Sequence, residues 1–221
     1  LLIAGSGPTD MDGNTTMGNI KNNSLKYLAE GLAENGIPSL RFDKRGVASS
    51  AAAGLQESEL RFEHYIADAK GWIDFLSADK RFTGVVVIGH SEGALIGLMA
   101  CRNNPKVKGY VSLAGAGRPA DEIIEAQVAA QMTPEAVQKQ VADINASLKE
   151  GREVTDVPIY LQTLFRPSVQ PYLISWYRYD PQKLIASLEI PKLIVQGQTD
   201  IQESLHHAQR LKQAESRAEQ M

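Results

Sequence analysis

The residue with the clearest chemical potential in this sequence is Ser91, the centre of a Gly-His-Ser-Glu-Gly pentapeptide at residues 89–93. A Gly-x-Ser-x-Gly pattern arises by chance in many chains as rich in glycine as this one, so its context must support it. Residues 85–88 are Val-Val-Val-Ile, and residues 93–101 carry no charge. We therefore predict a strand buried on both faces, a sharp turn at Ser91 and a buried helix.

Such a turn would expose the serine hydroxyl oxygen as a nucleophile. Glycine at positions 89 and 93 would then be required, because a side chain at either position would collide with the neighbouring strand or helix. The alternative is an ordinary strand-to-helix loop in which the serine caps the helix.

Asp200 is the best candidate for a carboxylate that acts together with Ser91. Residues 190–197 are mostly apolar and predict a strand, which the loop Gln198-Thr199-Asp200 follows. Because the carboxyl ends of parallel strands meet at one edge of a sheet, Asp200 and Ser91 are expected to converge there. An aspartate in a turn can also be a simple turn former, so this assignment depends on that convergence.

Two glycine-rich loops are candidate ligand sites. Residues 5–14 follow a short apolar strand, and their small residues would let the backbone N–H of Ser6 approach an oxyanion, although a plain solvated turn is the alternative. A dinucleotide site fails here because Asp10 occupies the position of the third glycine. The Gly-x-Gly-x-x-Ala pattern at residues 115–120 fails too, because Pro119 interrupts the turn and no acid-ending strand follows.

Composition limits the possible partners. The formal net charge is -3 and the pI is near 5.9, and the basic residues form no cluster, which argues against nucleic-acid or anionic-membrane binding. No apolar run reaches the roughly 18 residues needed to span a bilayer. The single cysteine, Cys101, lies in the predicted apolar helix and is expected to be a small buried hydrophobe.

The remaining pattern predicts alternating helices and strands in one large α/β domain with an insertion. We expect amphipathic helices at residues 23–35 and around residues 66–76, strands at residues 37–42 and 107–114, and a mobile loop at residues 47–58. The charged loop Asp43-Lys44-Arg45-Gly46 is expected to have a structural role, with Asp43 and Arg45 cross-linking neighbouring loops.

Residues 121–180 break this alternation. Two helical stretches, at residues 122–131 and 134–149, precede a segment with several aromatic residues. Such an insertion can fold over a site as a cap and supply an apolar wall for a substrate. The alternative is that the aromatic side chains only pack the insertion onto the core.

Together these segments resemble the esterase and serine-aminopeptidase (S33)-like branch of the α/β-hydrolases, over essentially the whole chain. The resemblance is carried by four segments in the family's order: residues 4–10, residues 41–46, the pentapeptide 89–93 and residues 197–200. It implies a three-layer α/β/α sandwich with a mostly parallel sheet and a helical cap. The expected divisions are a core at 1–120, a cap at 121–180 and a second core part at 181–221.

The resemblance also implies roles for individual residues. Ser91 would be the nucleophile, Asp200 the triad acid, and the backbone N–H groups of Ser6 and Glu92 the oxyanion hole, which leaves the Glu92 side chain incidental. No metal or organic cofactor would be needed. The family's catalytic histidine follows the next strand, so we expect it beyond Met221 and regard the sequence as a fragment, which its first residue, leucine, also suggests.

The four histidines of the sequence are poor candidates for the base. His64 lies at a helix start, and the turn directs the His90 ring away from the serine oxygen. His206 and His207 occur in a helical pattern close after Asp200.

The leading hypothesis is a serine hydrolase that cleaves small carboxylic esters through an acyl-enzyme. An aminopeptidase or thioesterase would use the same residues, and an inactive binding protein of this fold is the alternative of another class.

Overall fold

The computed structural model describes residues 1–15, 20–200, 202, 204–215 and 218–220. Within these residues five strands form one sheet, and every neighbouring pair is parallel. In spatial and chain order they are β1 (Leu2–Ile3), β2 (Val85–His90), β3 (Val107–Leu113), β4 (Lys192–Val195) and β5 (Ala218–Gln220). Their carboxyl ends therefore share one edge, where side chains from distant parts of the sequence can meet.

Helices connect and cover these strands. They are α1 (Ser24–Glu34), α2 (Phe62–Ala78), α3 (Glu92–Cys101), α4 (Ala120–Ala130), α5 (Glu135–Lys149), α6 (Gln162–Phe165), α7 (Gln170–Trp176), α8 (Pro181–Ala186) and α9 (Leu205–Ala214). Short 3₁₀ turns occur at Ala48–Ala53, Glu57–Glu59, Ile159–Leu161 and Pro167–Val169. The alternation of strand and helix confirms the predicted α/β class, and α4 and α5 confirm the two helices predicted at the start of the insertion.

The core is centred on α3. Every residue of α3 except Met99 is buried, as its lack of charge predicts, and Cys101 is among them. The helix packs on β2 through Val87 and against α2, whose Phe62 and Ile73 are fully buried. This placement holds the turn at Ser91 between two buried elements.

Two local expectations are wrong, and a third stays a prediction. Residues 37–42 form no strand, because Pro38 lacks an N–H and only one backbone bond, from Leu2 N to Leu40 O at 2.9 Å, joins this segment to β1. Residues 47–58, expected to be a mobile loop, contain the 3₁₀ turn Ala48–Ala53 and the start of another at Glu57–Glu59, and their mobility stays a prediction. Strand β2 is not buried on both faces: Val86 is 46% exposed, because α3 covers only the face that Val85 and Val87 share.

The glycines that flank Ser91 confirm the predicted close packing. A Cβ atom added to Gly89 would lie 2.1 Å from the carbonyl oxygen of Gly93, and one added to Gly93 would lie 2.4 Å from the carbonyl oxygen of Ala4. Both distances are far below van der Waals contact, and both obstacles are backbone atoms. The strand, the turn and α3 can therefore approach each other only with glycine at these two positions.

We expect Gly89→Ala to lower the free energy of unfolding by at least about 2 kcal/mol, because the new methyl group must displace backbone. Gly71→Ala is the matched control: Gly71 lies exposed on α2, and a Cβ atom there meets nothing within 4 Å. The control should gain about 0.5–1 kcal/mol, because alanine is the better helix former. Urea unfolding of both variants gives these values, and equal stability of the two would contradict the packing described.

Candidate active site

Ser91 has the backbone conformation of a strained turn. Its φ of 52° and ψ of -121° lie in a region that residues with a side chain rarely adopt, at a typical cost of about 1–3 kcal/mol. Two backbone bonds hold it there: Ser91 N–H donates to the carbonyl oxygen of Leu113 at 3.0 Å, and Ala94 N–H donates to the carbonyl oxygen of Ser91 at 2.9 Å. A strained backbone of this kind is typical of functional positions.

A cavity of about 150 Å³ lies beside Ser91. Its walls come from the opening loop, the start of α3, the β3–α4 loop, α4, α7 and residue 202. The lining residues are Ser6, Ser91, Glu92, Leu95, Ala116, Arg118, Ala120, Ile123, Ile124, Gln127, Trp176 and Gln202. Within the described ranges the Ser91 hydroxyl has no hydrogen-bond partner, so its oxygen is available to a bound molecule.

The opening loop lies directly against the turn. A Cβ atom added to Gly5 would be 3.4 Å from the Ser91 Cβ, and Ser6 lines the same cavity as Ser91. Among the described residues, the backbone N–H groups of Ser6 and Glu92 donate to no acceptor. Two unused donors beside a candidate nucleophile could bind an oxyanion.

Asp200 lies at the same edge of the sheet as Ser91. Backbone hydrogen bonds across the sheet link the ends of the strands that carry the two residues. Ser91 N–H donates to Leu113 O on β3, and Ala114 N–H, just after β3, donates to Val195 O at the end of β4 at 2.9 Å. The Asp200 carboxylate accepts from the Gln202 N–H at 2.9 Å, and Gln202 lines the cavity. Asp200 thus lies in the loop after β4, and its role as the partner of Ser91 stays a prediction.

The Asp200 carboxylate also accepts from Gln196 Nε2 at 3.2 Å. The negative charge of Asp200 raises the pKa values of His90 and His207, against the lowering effect of burial. Burial lowers the pKa of His90, and the negative charge of Asp200 partly offsets this effect.

No described histidine is hydrogen-bonded to the Ser91 hydroxyl. His64 Nδ1 accepts from Arg61 N–H at 3.1 Å, and the His90 ring packs near Gly5. His207 is buried, and its Nδ1 accepts from Gly117 N–H at 2.9 Å. A triad histidine instead donates from Nδ1 to the acid, so His207 has the wrong proton arrangement.

Burial is the main reason that the pKa of His207 falls to about 4, and the positive charges of Arg118 and Arg210 lower it further. His207 is therefore neutral at physiological pH. The His207 backbone also packs closely on Gly117. A Cβ atom added to Gly117 would lie 2.4 Å from the His207 carbonyl oxygen, which explains why this position is glycine. The histidine expected beyond Met221 lies outside the described residues.

A buried ion pair joins the charged loop at residues 43–46 to the start of α3. Lys44 Nζ lies 2.8 Å from Glu92 Oε2 and 3.0 Å from the carbonyl oxygen of Gly5, and each side chain of the pair is only 3% exposed. Tyr172 on α7 donates its hydroxyl to Glu92 Oε1 at 2.5 Å, and the ammonium group lies 4.2 Å from the Tyr65 ring centroid. The expectation that the Glu92 side chain is incidental is wrong, because its carboxylate bonds to two separate segments.

The charged loop that contains Lys44 has the expected structural role. Asp43 accepts from Met11 N–H at 2.8 Å and from Ser49 N–H at 3.0 Å, and Arg45 pairs with Asp68 on α2 at 2.5 Å. These bonds cross-link neighbouring loops as predicted. The sequence does not predict the burial of Lys44, because a lysine between two other charged residues is normally exposed.

Three aromatic residues of the insertion, Tyr172, Trp176 and Tyr179, pack it onto α2. Phe62 stacks on Trp176 with ring centroids 5.8 Å apart, and Tyr172 and Tyr179 also contact Phe62. Of the aromatic residues in the insertion, only Trp176 lines the cavity among those described. Apolar residues of α4 form the rest of that wall.

The described residues contain neither a metal-binding cluster nor a reactive thiol. Within the described ranges no cluster of His, Cys, Asp and Glu side chains could hold a metal ion. Burial raises the pKa of the Cys101 thiol to about 12, so it stays protonated and inert. No helix in the described part of the chain has the length and apolar character that crossing a bilayer requires.

We expect Lys44→Met to lower the free energy of unfolding by about 3–5 kcal/mol, because it leaves the Glu92 carboxylate buried without its cation. Lys106→Met is the control, since the Lys106–Asp74 pair is exposed and should be worth less than about 1 kcal/mol. Chemical unfolding of both variants measures the difference. Similar losses in both would contradict the importance of the buried pair.

Comparisons with known proteins agree with this arrangement. The model of the family "Serine aminopeptidase, S33" matches residues 21–221. No curated protein sequence matches the chain.

Solved structures with the same fold include esterases. A lipase-esterase related protein from Clostridium acetobutylicum ATCC 824 is 16% identical, with a TM-score of 0.59 over 99% of this chain and 82% of that chain. A thermophilic esterase from Thermogutta terrifontis is 16% identical, with a TM-score of 0.61 over 99% of this chain and 78% of that chain. Est1E from Butyrivibrio proteoclasticus, solved with ferulic acid, is 13% identical, with a TM-score of 0.66 over 100% of this chain and 76% of that chain.

At these identities the neighbours establish the fold, while the family model covers more than half of the sequence. The chain therefore has the α/β-hydrolase fold and belongs to the serine aminopeptidase S33 family of hydrolases.

Proposed function

We propose that this protein is a serine hydrolase that cleaves small carboxylic esters through an acyl-enzyme formed on Ser91. The observation that carries the proposal is the turn itself: a serine at positive φ, with an unbonded hydroxyl, opens into a cavity beside two unused backbone donors. A strained, exposed serine at a strand-to-helix turn is the geometry of an activated nucleophile.

In the proposed reaction Ser91 Oγ attacks the ester carbonyl carbon and its proton passes to a general base. The carbonyl oxygen becomes an oxyanion, which the N–H groups of Ser6 and Glu92 stabilise; one such donor typically contributes about 10²–10³ in kcat. The tetrahedral intermediate then expels the alcohol, which takes the proton from the base. Water attacks the acyl-enzyme by the same steps and releases the acid.

The base in this scheme is a histidine supplied from beyond Met221, since the described histidines are unsuitable. The strand β5 ends at Gln220, so a following loop would start at the same sheet edge as Ser91. Asp200 would accept the Nδ1–H of that histidine and stabilise its charged form.

We further propose that residues 121–180 act as the cap that sets substrate choice. The support is that α4 and Trp176 line the cavity beside Ser91, while Tyr172 ties α7 to Glu92. Residues 1–120 and 181–221 would then form the core beneath it. A thioester or an aminoacyl amide would meet the same catalytic groups, so a substrate panel of esters, thioesters and amides ranks the three activities.

A fluorophosphonate probe should label the full-length protein at Ser91, because its unbonded hydroxyl opens into the cavity. Ser91→Ala should not be labelled, and its esterase activity should fall by at least about 10³-fold. Ser6→Ala is the matched control that keeps the backbone donor, so it should still be labelled. Mass spectrometry locates the adduct, and equal labelling of wild type and Ser91→Ala, or none in either, would contradict the mechanism and favour a binding protein of the same fold.

A further inference from the structure

Arg118 carries a positive charge that no described residue neutralises. It lies between β3 and α4 and lines the cavity with Ser91. Its Nε is buried without a hydrogen-bond partner, and its side chain forms no ion pair or hydrogen bond within the described ranges. Asp121, the nearest acid along the sequence, pairs instead with Lys149 at 2.5 Å.

Trp176 provides a second donor without an acceptor. Its indole Nε1 is buried, has no partner among the described residues and belongs to a side chain that lines the same cavity. Arginine and tryptophan side chains can only donate hydrogen bonds, so neither can satisfy the other. Buried donors without acceptors are rare in folded proteins, and two of them around one cavity indicate a missing acceptor.

The acid in the cavity wall cannot be that acceptor. The Glu92 carboxylate already bonds to the ammonium group of Lys44 and the hydroxyl of Tyr172. The remaining polar lining residues, such as Gln127 and Gln202, are neutral. Because Lys44 already balances Glu92, the positive charge of Arg118 is left without a counter-charge among the described lining residues.

We propose that Arg118 and Trp176 bind a carboxylate of the substrate, so that the preferred substrates are esters that carry a free carboxylate group. This inference rests on the proposed function. A single unpaired guanidinium matches a monoanion, and its planar fork of N–H groups fits a carboxylate in two parallel bonds. A cavity of about 150 Å³ holds a group of about the size of benzene, which suits a short acid.

The carboxylate can belong to the acyl part or to the alcohol part of the ester. Mono(4-nitrophenyl) glutarate tests the acyl side, and its neutral match is methyl 4-nitrophenyl glutarate. The 4-carboxyphenyl ester of pentanoic acid tests the alcohol side, and its neutral match is the phenyl ester. Wild-type enzyme should prefer one of the two charged esters over its neutral match by about 10- to 100-fold in kcat/KM, the worth of a hydrogen bond to a charged group.

Arg118→Met should abolish this preference: kcat/KM for the charged ester falls about 10- to 100-fold, while kcat/KM for the neutral match stays within about threefold. Arg118→Lys should keep part of the preference, and Trp176→Phe should reduce it by a smaller factor. Arg210→Met is the matched control, because Arg210 also has a buried Nε without a partner but does not line the cavity. It should leave the preference unchanged.

The inference is overturned if wild type shows no preference for either charged ester, or if Arg118→Met lowers both members of a pair equally. Labelling of Ser91 by fluorophosphonate in each variant separates the carboxylate site from the proposed hydrolase function. If Ser91 is labelled but neither charged ester is preferred, only the carboxylate site is contradicted. If Ser91 is not labelled and no ester is cleaved, glutarate binding measured by calorimetry decides. Binding to wild type that Arg118→Met weakens tenfold supports a carboxylate site, and no binding to wild type overturns it.

Discussion

The buried ion pair between Lys44 and Glu92 is the interaction on which the geometry around Ser91 depends. Two opposite charges at 2.8 Å, each 3% exposed, would be costly to bury singly, so the folded state requires both. Lys44 also bonds the carbonyl oxygen of Gly5, and Glu92 also accepts from Tyr172. Any shift of the opening loop, of α3 or of α7 would break a bond to a buried charge, which fixes these segments relative to one another.

Packing constraints hold the turn itself. The helix α3 can begin directly after Ser91 only because Gly89 and Gly93 allow backbone contact on both sides. The bond from Ser91 N–H to Leu113 O fixes the turn to the sheet. A strained backbone persists where the surroundings determine it this fully, and the cost of the strain is offset by the burial of α3.

Much of this arrangement could be predicted from sequence, since its causes are local. The uncharged run after Ser91 predicts a buried helix, and the flanking glycines predict close approach. The role of Lys44 could not be predicted, because the partners that make its burial tolerable, Glu92 and the carbonyl oxygen of Gly5, lie 48 and 39 positions away along the chain. The strand expected at residues 37–42 failed for a similar reason: the apolar pattern was present, but a two-residue β1 gave it too little to pair with. The sequence presents Arg118 only within a glycine-rich pattern that does not fit a nucleotide site, because whether a charge is paired depends on its three-dimensional surroundings.

The central claim is that the Ser91 hydroxyl and the backbone N–H groups of Ser6 and Glu92 converge on one reacting carbonyl. The most direct measurement is a crystal structure of the full-length protein after reaction with a small alkyl fluorophosphonate. The account predicts phosphorus bonded to Ser91 Oγ and a phosphonyl oxygen about 2.7–3.1 Å from both backbone nitrogen atoms. A phosphonyl oxygen that points to solvent, or that lies beyond hydrogen-bond distance of both amides, would contradict it.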